Sequence, residues 1–331
     1  MDRNVFRMGT VIRAQLHCHL SRPLPPPVMT ASNPSFFVLK RSGRPRTALS
    51  WNARRGGLWW LDPQQHTLTA WNADTAHRID TPLPDAGYTF CPTAGGRLLI
   101  GLSKRLCLAE LPERSGARPV IVNWLATVDA IDHRTAIGNG RADRHGRFIF
   151  GTSNMAPDGH AIGSFYQYCA RAGLRRLALP TVVAAGCICV DLSGTRLYFA
   201  DTAGAVLYQC DYDSATATTS GVTPFARAAD GASMRDALVD GDHGVWTAQP
   251  GAGGATVVRY RADGSVDRTI AAPRNPVVGL CTYGAGLRQL LLLGANGGLR
   301  LVDDLQVRGL EEALFDDRGI AISSDLAFPP E

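Results

Sequence analysis

The chain has 331 residues, 45% hydrophobic and 19% charged, with 35 glycines, 20 prolines and a formal net charge of +5. That apolar share excludes a disordered chain, and no apolar run approaches the roughly 18 residues of a membrane helix. The positive charge is no nucleic-acid footprint either, because residues 1–36 alone carry +3 (Arg3, Arg7, Arg13 and Arg22 against Asp2), leaving +2 on the remaining 295 residues.

The N-terminal stretch lacks the continuous apolar core of a secretory signal and runs into Pro23-Leu24-Pro25-Pro26-Pro27, which favours extended chain. Residues 1–36 therefore read as a flexible or extended arm, or as sequence upstream of a functional start at Met29. His17-Cys18-His19 within it reads as an incidental cluster rather than a metal site. The eight cysteines, at 18, 91, 107, 169, 187, 189, 210 and 281, form no CxxC pair. Scattered thiols of this kind suit a reducing, cytoplasmic setting, and Cys187 and Cys189 have the spacing of two side chains on one face of a strand.

From residue 57 onward one phrase recurs: a turn residue, an apolar run, then Asp, Gly, Ala or Thr. It begins at Gly57, Arg97, Gly146, Thr195, Gly244 and Arg288, at intervals of 40 to 49 residues. Each copy is followed by a second strand-like run, as at 67–72, 105–110, 164–170, 205–212, 256–261 and 298–302, and usually by a third. Sustained 3.6-residue periodicity is almost absent, so the class is all-β. Units that cannot bury both faces alone, repeated six times at roughly 49 residues, predict a six-bladed β-propeller of four-stranded antiparallel blades over residues 37–331.

The run Gly138-Asn139-Gly140-Arg141-Ala142-Asp143-Arg144-His145-Gly146-Arg147-Phe148-Ile149-Phe150-Gly151-Thr152 resembles the phrase NDGKxDxxGRfwfGT of the senescence-marker-protein (regucalcin), gluconolactonase and luciferin-regenerating-enzyme family. Leu58-Trp59-Trp60-Leu61-Asp62, Gly163-Ser164-Phe165-Tyr166, the run 191–201 and the run 240–246, with His243 in place of a glycine, are similar to further phrases of the same family in the same order. The resemblance implies a site at one channel mouth, where a Glu, an Asn and an Asp hold one divalent metal that polarises a lactone carbonyl.

Carried over position by position, those ligands are largely exchanged. Thr47 stands where the Glu belongs, in a stretch that keeps Trp51; Gly186 stands where the Asn belongs. Arg235 falls at the Asp position, with Asp236 one residue late, so that a one-residue slip would restore it. The substrate-contacting Arg and Asn fall at Ala136 and Gly138, and Asn139 stands for an Asp. The five glutamates, at 110, 113, 311, 312 and 331, lie at none of the family positions.

Two readings follow. In the first the protein is a lactonase-like hydrolase acting on a sugar-acid or other small lactone. Asp236 is then catalytic base and metal ligand, Thr47 a weak second ligand, and Asn139, Arg141 and His160 bind substrate; Asn139, Asp143, His160 and Asp240 are the candidate replacement ligands. Its cofactor would be one divalent ion (Ca, Zn, Mn or Fe). In the second it is a metal-free propeller that binds or transforms a small pathway intermediate by other chemistry, or an inactive homologue. Either way the expected partner is a small molecule, with no nucleic acid or membrane, and the chain is expected to be a monomer.

Overall fold

Each recurring phrase supplies the second strand of a four-stranded antiparallel sheet, and the alternation of turn residue and apolar run is what cuts the chain into these lengths. The computed structural model describes residues 36–37, 47–52, 57–72, 75–229, 231–251, 254–272, 276–303 and 305–321. The arm 1–35, with its His17-Cys18-His19 cluster and Met29, lies outside the described residues.

Blade 1 consists of Thr47–Asn52, Gly57–Asp62, Thr67–Asn72 and Arg78–Pro82; blade 2 of Gly87–Pro92, Leu98–Leu102, Arg105–Glu110 and Val120–Thr127. Blade 3 is Thr135–Ala142, Phe148–Asn154, Phe165–Cys169 and Gly173–Arg176, and blade 4 is Ala185–Val190, Arg196–Asp201, Val206–Asp213 and Thr218–Arg227. Blade 5 is Asp236–Val239, Val245–Gly251, Gly254–Tyr260 and Val266–Ala272. Blade 6 takes Val277–Tyr283, Gln289–Gly294 and Leu299–Val302 from one end of the described chain and Phe36–Phe37 from the other, with Phe36 opposite Arg300 and Phe37 opposite Leu299. This last pairing closes the ring by main-chain hydrogen bonds.

The first strand of every blade is innermost, and these six strands touch one another in a closed circle around the channel. All begin at one mouth, here the entry mouth, and end at the other. Hydrophobic side chains fill the six spaces between adjacent blades, one buried cluster to each interface.

The turn between first and second strands shows why Asp and Gly recur together along the chain. In blade 3, Asp143 Oδ1 accepts hydrogen bonds from the amides of His145 and Arg147. Asp191 does the same for Thr195 and Arg196 in blade 4, and Asp240 for Asp242 and Gly244 in blade 5. Three residues after each Asp the backbone is left-handed: Gly146 and Gly194 at φ 78° and 75°, and His243 at 60°, a position where a side chain carries strain. Asp143 and Asp240 thus organise turns at the far end of the innermost strands.

Beyond the last strand, residues 305–321 form a strap across the exit mouth. Gly309 N donates to Leu287 O of blade 6 and Gly241 N of blade 5 to Arg308 O; Asp316 N donates to Gly146 O of blade 3. Phe315 N donates to Pro92 O, and Ala94 N of blade 2 to Phe315 O. Phe315 is fully buried in the cluster between blades 2 and 3, and Asp317 accepts from Thr93 Oγ1 at 2.9 Å and Gly95 N at 2.8 Å. The strap has no strand pattern in the sequence and was not anticipated there.

Asp240, fully buried, also accepts from Trp246 Nε1 and Arg259 Nε, each at 2.7 Å. Asp240→Ala would leave a buried indole N–H without its acceptor and the Arg259 guanidinium with Asp267 alone, so urea unfolding should show a loss of about 3 kcal/mol.

Candidate functional site in the central channel

The innermost strands are irregular near the entry mouth. Register shifts occur between Thr47 and Ser50, Gly87 and Thr89, Ile137 and Gly140, Gly186 and Cys189, and Val277 and Gly279. Such bulges re-aim side chains at the rims of closed sheets. Two of them hold non-glycine residues at positive φ, Ala48 at 52° and Cys187 at 54°, each next to a position where the family resemblance places a ligand.

Asp236 opens the innermost strand of blade 5 and is buried in the channel. Its Oδ2 accepts from the Leu280 amide of blade 6 at 2.8 Å; its Oδ1 accepts from Ala237 N at 2.9 Å and from Asn139 Nδ2 of blade 3 at 3.4 Å. Two residues deeper on the same strand as Asn139, Arg141 places Nη2 at 3.8 Å from Asp236 Oδ1 and Nη1 at 2.8 Å from Glu312 Oε1. Glu312 enters from the strap. The channel thus holds a charge relay in space, Asp236, Arg141, Glu312, running from entry mouth to exit mouth.

Burial pushes the Asp236 carboxyl above the ordinary carboxylate range, against the pull of Arg141 and of the three hydrogen bonds it accepts. Burial pulls the Arg141 guanidinium down, but the carboxylates of Glu312 and Asp236 outweigh it and hold Arg141 above its ordinary value. Asp236, Asn139, Arg141, Ser50 and Glu312 share the wall of a cavity of about 40 Å³. Asn139 Oδ1 and Ser50 Oγ are buried there without a hydrogen-bond partner. At about 10–15 Å³ per water this volume takes about three or four waters, and these oxygens are acceptors for them.

The sequence-predicted residues divide accordingly. Asp236, Asn139 and Arg141 converge. His160 does not: it sits on the loop after the second strand of blade 3, 70% exposed, with Nδ1 at 3.1 Å from Asp158 Oδ2. Thr47 lies at the rim beside Ala48 and is absent from the cavity wall, its Oγ1 buried without a partner. Gly186 can carry no side chain in this backbone, because a Cβ would come within 2.2 Å of Thr202 Cγ2 and 2.9 Å of the Arg235 carbonyl oxygen. Arg235 is exposed, and the inward group is its neighbour Asp236. Asp143 and Asp240 are spent on turns and unavailable as ligands.

These residues do not fit a divalent cation. Both oxygens of the sole retained carboxylate already accept hydrogen bonds, a guanidinium stands beside it, the other carboxylate of the cavity wall, Glu312, is paired with that same guanidinium, and a hydroxyl and an amide complete a donor set of low net charge for a hard ion. Among the described residues no three His, Cys, Asp or Glu side chains converge as metal ligands.

The fold and site can now be set beside known proteins. Residues 47–296 match the model of the SMP-30/Gluconolactonase/LRE-like region. The chain belongs to this family. It is 33% identical to an L-arabinolactonase of Azospirillum brasilense over 279 residues, 82% of this chain and 89% of that protein. Among solved structures it is similar to a luciferin-regenerating enzyme, with TM-score 0.77 and 17% identity, covering 86% of this chain and all of the other. It is also similar to a calcium-binding protein, regucalcin, from Agrobacterium tumefaciens, with TM-score 0.74 and 19% identity over 85% and 97% of the two chains. Among the described residues no helix is long and apolar enough to cross a membrane.

Glu312 aligns with no family position and its stretch lacks strand character, so the sequence does not single it out. The available signal was its placement among apolar residues, Leu310 and Ala313 to Phe315, after the last blade.

Cys91 and Cys189 contribute to the walls of the channel cavities, and burial pushes each thiol up to about 12. At pH 8 the thiolate fraction is then on the order of one in ten thousand, so neither serves as a nucleophile. Iodoacetamide at pH 8 should leave both unmodified in the native protein and alkylate both in urea, as read by peptide mass mapping.

Proposed function

We propose that the protein hydrolyses a small lactone of the sugar-acid type, with Asp236 as general base and no metal in the reaction. The observation that carries this is the buried Asp236 carboxylate, its affinity for a proton raised by burial, in one cavity wall with the unpartnered oxygens of Asn139 and Ser50. Membership of a family that includes an L-arabinolactonase supports lactone chemistry at the level of the class.

On this reading a water held by Asn139 Oδ1 and Asp236 attacks the lactone carbonyl carbon. Asp236 takes the water proton, and Arg141 stabilises the oxygen that gains negative charge. The tetrahedral species then collapses by breaking the bond between the former carbonyl carbon and the ring oxygen, which receives the proton and becomes the hydroxyl of the open acid. A carboxylate of ordinary acidity is a poor base; the raised pKa of Asp236 brings it nearer the working pH.

A second reading, favoured by the engagement of Arg141 with Glu312, is a propeller that binds such a ring without opening it. Stopped-flow pH indicator assays on five- and six-membered aldonolactones separate the two. Hydrolysis should persist in EDTA, and Asp236→Asn should lower kcat at least about a hundredfold. The rate should rise with pH through a midpoint above 3.8, because the active base is the deprotonated form and folding raises its pKa. Lactone binding without turnover would leave the second reading standing, and turnover abolished by EDTA would overturn the metal-free mechanism.

A further inference from the structure

A second cavity lies at the opposite end of the channel from the entry mouth. It measures about 140 Å³, against about 40 Å³ in the channel itself, and it is formed where the strap roofs the ends of the innermost strands of blades 1, 2 and 6. Trp51, Trp59, Arg97, Leu314 and Glu311 contribute to its wall. For scale, an engineered apolar cavity of about 150 Å³ admits benzene. This one therefore has room for a single ring.

The wall chemistry selects the kind of ring. Trp51, packed on Tyr283, and Trp59, packed on Phe90, bring apolar indole surface to the wall, suited to the C–H groups of a saturated ring, while Arg97 and Glu311 supply polar groups of both kinds. Arg97 is neutralised by Glu110 at 3.2 Å and Asp317 at 3.3 Å, and Glu312 by Arg141 at 2.8 Å. Glu311 makes no side-chain hydrogen bond or ion pair with a described residue; the strap contact of Arg144 is to its main-chain oxygen. An anion is thereby disfavoured. Trp51 Nε1 is buried without a partner among the described residues, so this donor favours a ligand that carries an acceptor, which an ammonium group does not possess. Hydroxyls both donate and accept.

We infer that the strap and the exit mouth form a second ligand site, distinct from the Asp236 channel, that takes a single neutral sugar ring. The inference is independent of whether the channel hydrolyses lactones. Its basis is one cavity with two tryptophans in its wall, an indole N–H without a partner among the described residues, and lining charges each met by an opposite one, Arg97 by Glu110 and Asp317, Glu312 by Arg141 and Glu311 by the field of Arg144, closed by a segment anchored through Phe315 and Asp317.

The test is calorimetric titration of the full chain with L-arabinose, D-xylose and D-glucose, and separately with L-arabinonolactone, accompanied by tryptophan fluorescence. Saturable binding of at least one free sugar in the millimolar range is expected, with a change in fluorescence. Leu314→Trp, which fills the cavity, should weaken it at least tenfold. Glu311→Ala alters an exposed strap residue and leaves the ring untouched; it should weaken binding severalfold with an unchanged unfolding midpoint. Asp236→Asn should bind the free sugar as the unaltered protein does. Absence of saturable sugar binding, undiminished binding in both strap variants, or loss of binding in Asp236→Asn would each overturn the site. Binding confined to the lactone would assign the ligand to the channel and overturn it equally.

Discussion

A guanidinium lodged in the axis of the ring is the constraint to which the rest of the channel answers. Arg141 is largely enclosed, and a charge in that position without partners would cost several kcal/mol. It is held by two carboxylates from opposite directions, Asp236 on the entry side and Glu312 on the strap side. Glu312 makes the shorter contact, so the guanidinium is drawn away from Asp236, whose oxygens are left to main-chain amides and to Asn139. Asp236 therefore owes its surroundings to a residue supplied from beyond the last blade.

The same constraint explains why the divalent site implied by family resemblance is not reproduced by these residues. Losing a ligand at 186 is not a side-chain exchange that a neighbour could reverse, because the innermost strand of blade 4 passes so close to the Arg235 carbonyl and to Thr202 that only glycine fits. A bound dication would also have to stand beside Arg141. Ring geometry, turn chemistry and blade packing are preserved by interactions far from these positions: the Asp-centred turns at 143, 191 and 240 and the six clusters between blades. Fold and reaction are thus specified by separate sets of residues, and one set can change while the other stays.

That separation also sets what was legible in the sequence. The six recurring phrases announced their strands because each combines an apolar run with turn residues at fixed offsets, and the ring follows from stacking such units. Asp236 and Asn139 could be singled out from their positions in the phrases. The one-residue ambiguity at 235 and 236 needed the backbone, which buries Asp236 and leaves Arg235 exposed. Two features were illegible for physical reasons. A closing strand of two residues, Phe36–Phe37, is too short to show alternation. The strap is held by scattered main-chain hydrogen bonds and single anchors, so it carries no period at all.

The strap joins what the blades keep apart. Glu312 lies in the wall of the channel cavity beside Asp236, in the wall of the cavity at the exit mouth beside Trp51, and in that of a third small cavity toward blades 4 and 5. Displacement of the strap at any of these would move the carboxylate that draws Arg141 away from Asp236. With Glu312 withdrawn, Asp236 would be the remaining carboxylate within reach of the guanidinium, and closer pairing would lower its affinity for a proton. Glu312 is thus the one strap side chain shared by the walls at both mouths, and its ion pair with Arg141 is what keeps that guanidinium on the strap side of the channel.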